Sequence, residues 1–139
     1  MTQEDKELLL RDLCARLPYG IKFLRESWNY ETDQELSVIE VLEDIDKDGY
    51  INNTKVYKVE DIKPYLFPLS SMTDKQEKEY NLLRDSVPTY YYEFGDVIVD
   101  DTKLCDNWES IDYLNAHHFD YRGLIEKGLA IDATGLNIY

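Results

Sequence analysis

At 139 residues the chain is long enough for one compact domain and too short for two that each bury a full core, so a single domain is expected, with room for a small helical appendage. Hydrophobic residues make up 43% of it, twelve tyrosines included, which argues against disorder despite the high charge. Fifteen basic against twenty-nine acidic side chains give a formal charge of −14, which repels phosphate backbones and anionic lipid and so argues against direct nucleic-acid or membrane binding.

The first predicted element is a helix over about 2–17. Thr2 caps it, Asp5 completes a capping box, and Leu10, Leu13, Cys14 and Leu17 recur at i, i+3, i+4 and i+7, which assigns Cys14 to the core. Early acids (Glu4, Asp5, Glu7) and late arginines (Arg11, Arg16) both suit the helix dipole, and Pro18 stops the element. Residues 19–59 read as β-rich. "IKFLRESW" alternates as a strand, "ELSVIEVLEDI" fits either a strand or a helical period, and "YINNTKVYKV" favours extended chain. In "EDIKPYLFPLSSM" the two prolines, Pro64 and Pro68, permit only a short helical turn.

A second helix is predicted over about 73–87, opened by a Thr73/Gln76 capping box, with Tyr80, Leu83 and Val87 on one face and Pro88 ending it. The remainder, 88–139, is mixed. "TYYYEFGDVIVDDTKLC" reads as extended chain around Gly95, "DNWESIDYLNAHH" as a helix using Trp108, Ile111 and Leu114, and "GLAIDA" as a short strand. The expected fold class is α+β, a small antiparallel sheet with three or more flanking helices. No internal repeat or low-complexity tract interrupts it.

Three stretches carry candidate chemistry. In "EDIDKDGYINN", Asp44, Asp46, Asp48 and Gly49 match the opening of a calcium loop, which needs oxygen ligands at positions 1, 3 and 5 and glycine at 6. Position 12, where a bidentate glutamate belongs, is Lys55, and the exit is β-rich, so an Asp-Gly hairpin corner is the preferred reading and no cofactor is expected. In "HHFDYRG", His117, His118, Asp120 and Arg122 form a grouping able in principle to support hydrolytic acid–base chemistry. The simpler reading places both histidines at a helix end, with Phe119 and Tyr121 packed beneath them and Gly123 turning the chain. Adjacent histidines also lack the i, i+4 placement that aims two rings at one zinc ion.

Tyr90, Tyr91 and Tyr92, with Phe94, make an aromatic run in which neighbouring side chains alternate faces, so at least one ring is expected outside the core. With Trp108 the three tyrosines are the candidate contact residues for another protein. From Glu93 to Asp112 the chain carries seven carboxylates (Glu93, Asp96, Asp100, Asp101, Asp106, Glu109, Asp112) against Lys103, a local charge of −6. Such a face solubilises, steers a basic partner, or imitates nucleic acid toward a DNA-binding protein.

No window approaches eighteen apolar residues, and "MTQEDKELLLRDL" has acids where a signal peptide has a basic flank, so a cytoplasmic protein is expected. Cys14 and Cys105 then read as free thiols.

The phrases "LCARLPYGIKF", "IKPYLFPLSSMT" and "LNAHHFDYRGLIEKGLAI" resemble those of a family of small proteins from gut anaerobic bacteria and their phages and mobile elements. The resemblance runs along nearly the whole chain. It implies a bacterial or phage setting, and because that family has no assigned activity it carries no catalytic residue onto this sequence. The expectation that follows is a small binding or accessory protein whose partner is another protein. A nucleic-acid-mimic inhibitor and a hydrolytic enzyme centred on His117 and His118 are the alternatives.

Overall fold

The computed structural model describes residues 1–53 and 55–139; the side chains at 27–29, 89–91 and 99–102 lie outside that description. The fold class is α+β. Two units are distinct, Met1–Ser71 with Asn115–Tyr139 and, between them in sequence, Met72–Leu114.

The first unit opens with α1 (Gln3–Arg16), whose capping box forms as Thr2 and Asp5 predict: the Thr2 side chain accepts from the Asp5 N–H and the Asp5 carboxylate from the Thr2 N–H. Its buried face is Leu9, Asp12, Leu13 and Arg16, and Cys14 is exposed, contrary to the sequence expectation. The physical reason is Asp12 and Arg16. Their ion pair at 2.8 Å, with both side chains fully buried, lets two charged residues occupy the core stripe, and that choice turns Cys14 toward solvent. Leu9 and Leu13 meet Ile21, Phe23, Leu42, Ile51, Ile62, Leu66, Leu124 and Leu129 in one apolar cluster.

After a 3-10 turn at Leu17–Tyr19, β1 (Lys22–Asn29) and β2 (Gln34–Val41) form a long antiparallel hairpin, paired from Lys22↔Val41 to Asn29↔Gln34. This settles the ambiguous "ELSVIEV" as strand. β3 (Tyr50–Asn52) and β4 (Val56–Lys58) form a small antiparallel ribbon.

β5 (Ile62–Pro68) overturns the expectation of a mere turn around the prolines: it pairs antiparallel with β1 and parallel with β8 (Phe119–Asp120) and β9 (Ile131–Asp132). A proline lacks the N–H that a ladder needs. The β1 ladder ends at Phe23↔Pro64, and the next pair in register, Lys22 and Tyr65, is bridged instead by the Tyr139 hydroxyl, which accepts from the Lys22 N–H at 2.9 Å and donates to the Tyr65 carbonyl at 2.8 Å.

In the second unit, α2 (Asp74–Leu83) carries the Thr73/Gln76 capping box but stops four residues before the predicted end. Arg84 is extended, at φ −77 and ψ 151, and Val87 and Pro88 belong to β6 (Asp85–Glu93). Cross-strand pairing with β7 (Asp96–Cys105), beginning at Asp85↔Cys105, outweighs the helical period. α3 (Trp108–Ala116) is opened by a reciprocal pair: the Asn107 side chain accepts from the Ser110 N–H, and the Ser110 hydroxyl from the Asn107 N–H.

Candidate interaction surface

The β6–β7 hairpin closes through a two-residue turn, Phe94-Gly95, with both residues at positive φ (51° and 85°), between the paired Glu93 and Asp96. A turn of this handedness matches the right-handed twist of its strands, and Gly95 adopts the conformation without a Cβ penalty. Its consequence is to hold Phe94 98% exposed. One rung back, Tyr92 pairs with Val97, so their side chains share a face, and they are 79% and 57% exposed. Three large hydrophobic residues are therefore exposed at one end of the hairpin. The rung between them and the turn sets Glu93 directly opposite Asp96, a like-charge pair that disfavours the isolated hairpin and is relieved by a cation.

Of the predicted contact residues, Tyr92 stands on this tip, while the side chains of Tyr90 and Tyr91 lie outside the described residues. Trp108 is 88% exposed, not part of a buried helix face. It follows the base of β7, and at ~3.3 Å per residue a strand from Asp96 to Cys105 spans roughly 30 Å, so Trp108 and Tyr92 stand at opposite ends of the hairpin. Sequence reasoning noticed Phe94 only as a neighbour of the tyrosines. The signal that marks it is its place before glycine in a two-residue hairpin turn.

The acidic run divides by role. Asp106 is engaged, accepting from the hydroxyls of Tyr80 and Ser110 and pairing with Arg84 at 3.5 Å. Burial first, and then this carboxylate, pushes the Tyr80 phenol up to about 12. Glu109 and Asp112 are exposed on α3.

The histidine cluster disperses. The Asp120 carboxylate accepts from the Leu124 and Ile125 N–H groups, both at 2.9 Å, and so fixes the following turn. Arg122 pairs with Asp12 at 3.0 Å. His118, at φ 62°, stacks on Tyr139 with ring centroids 3.8 Å apart, and burial first, then the positive charges of Arg16, His117 and Lys22, push its pKa down to about 4. His117 is exposed, its ring 6.4 Å from that of Phe119. Each of Asp120, Arg122 and His118 thus faces a different structural partner.

The aspartate loop is a corner of extended chain. Asp46 Oδ1 accepts from the N–H groups of Asp48 and Tyr50, Oδ2 from the Asn52 amide at 3.3 Å, and an antiparallel bridge joins Ile45 to Ile51. Hydrogen bonding, foremost from the Tyr50 backbone, lowers the Asp46 pKa. Asp44 Oδ2 receives the same Asn52 amide at 3.4 Å, and Asp48 enters the turn through its backbone. Gly49, at φ 82°, lies where an added Cβ would sit 2.9 Å from Leu10 Cδ1. Among the described residues no group of three or more His, Cys, Asp or Glu side chains is placed to hold a metal ion.

A polar constellation that the sequence did not single out joins three strands. Arg25 on β1 binds Glu40 on β2 at 2.8 Å and lies 4.7 Å over the Tyr57 ring on β4. Burial works to raise the Glu40 pKa, but hydrogen bonds from Arg25 and Tyr57 outweigh it and leave it lowered. Beside this group opens a cleft of about 480 Å³.

No family model, no curated protein and no solved structure matches this chain. Among the described residues no helix is long and apolar enough to cross a membrane.

Proposed function

We propose that this is a small cytoplasmic binding or accessory protein of bacterial or phage origin that engages a basic surface of another protein through the tip of the β6–β7 hairpin. The observation that carries the reading is the full exposure of Phe94 on a turn flanked by the opposed carboxylates of Glu93 and Asp96. A rigid aromatic anchor loses little rotamer freedom on binding, and the paired acids favour an arriving lysine or arginine. Both cysteines are unpaired, which fits a reducing compartment.

The test places a photo-crosslinking residue at position 94 or, as a control, at position 108, in the intact chain in its host. A basic protein crosslinked from 94, lost in an E93K/D96K variant and retained in W108A, supports the proposal. Equal capture from both positions, or insensitivity to the charge reversal, overturns it. Competition with duplex DNA for the captured partner would favour nucleic-acid mimicry instead.

A further inference from the structure

The strongest unassigned feature lies in the first unit and is independent of the hairpin tip. The β1–β2 ladder runs to Asn29↔Gln34, whereas the β1–β5 ladder stops at Arg25↔Ile62, because the chain before Ile62 leaves the sheet as a 3-10 turn at Val59–Asp61. Residues 26–29 of β1 therefore have one edge against which no strand pairs among the described residues. Along a strand, backbone N–H and C=O groups alternate between edges, so every second residue of this stretch offers a donor and an acceptor outward.

At its Glu26 end this edge borders the 480 Å³ cleft. Arg25 and Tyr57 are on its walls, Arg25 engaged with Glu40, and Glu60 is tied to Lys6 at 2.8 Å. The lining charges that enter no ion pair among the described residues are Glu26, Asp61 and Lys63, a carboxylate excess within a chain that carries −14 overall.

We propose that this cleft accepts an extended basic peptide, which adds as a strand to β1 at residues 26–29, in line with β5, and places lysine or arginine side chains against Glu26 and Asp61. Main-chain hydrogen bonds supply the affinity, and the flanking carboxylates select the charge.

The test uses an acetylated, amidated octapeptide that alternates lysine with threonine and valine, titrated into the ¹⁵N-labelled full chain at low ionic strength. Amide shifts and slowed hydrogen exchange confined to 26–29 and 61–63, with affinity at least about tenfold weaker for E26K/D61K, are expected. The variant's unchanged spectrum elsewhere establishes that it is folded. A peptide with glutamate for lysine, and one N-methylated at alternate amides, should both fail to bind.

Equal binding by the N-methylated peptide overturns strand addition, and equal binding by the acidic one overturns the charge assignment. Saturation elsewhere, or no binding up to about 1 mM, overturns the site. A concentration-dependent dimer that protects 26–29 without peptide assigns the edge to a second copy and overturns the peptide.

Discussion

His118 has a buried Nδ1 with no hydrogen-bond partner among the described residues, and the cations of Arg16 and Lys22 lie close enough to disfavour its protonation. The folded pKa is near 4 against an ordinary value of 6.5, so the unfolded chain binds the additional proton between those limits. Stability from this group is fully present above about pH 6.5 and is lost as pH falls toward 4. We predict that Tm declines over that window and that H118Q declines less steeply, by calorimetry across pH. The Asp12–Arg16 pair makes a second prediction. R16M leaves a buried carboxylate with Arg122 as its remaining charged partner and should cost about 3 kcal/mol in denaturant melts, while D12L/R16M should recover part of that loss. Sequence periodicity ranks residues by polarity, so it placed Cys14 in the core and passed over a buried ion pair whose partners are also supplied by the Phe119 carbonyl and Arg122.

At the scale of elements, local signals were legible where they were complete within a few residues. Both threonine capping boxes formed, and the Asp48-Gly49 corner is β in character. Gly49 combines positive φ with the close approach of Leu10, whereas Gly20 has positive φ and open space around its Cβ position. G49A should therefore cost about 2 kcal/mol and G20A about 1 kcal/mol, a difference that equilibrium unfolding resolves. The end of α2 and the strand at β5 were not legible. Each depends on hydrogen bonds to residues distant in sequence: β6 is held by β7, and β5 by β1, β8, β9 and the Tyr139 hydroxyl.

At the scale of the whole molecule, the apolar cluster lies within the first unit, and the β6–β7 ladder has no third strand among the described residues. Two-stranded ribbons are marginal without further support. Native-state hydrogen exchange should show β6–β7 amides opening at lower free energy than those of Phe23, Leu24 and Leu66, with the tip fastest. Equal protection would show that the hairpin opens only with the whole chain. Low protection at the tip agrees with a partner-binding role, because segments that bind are commonly drawn from the less stable parts of a fold.

Composition, capping and local propensity determined the α+β class, both threonine-capped helix starts and the extended chain around Gly95, since each follows from residue content or from contacts a few residues apart. Tertiary structure alone decided that prolines could stand in a paired strand, that a charged pair could replace apolar core, and that the histidine grouping would scatter to separate partners. The reason is common to all three: each outcome rests on which distant backbone or side chain fills a given space, and a local pattern does not encode that.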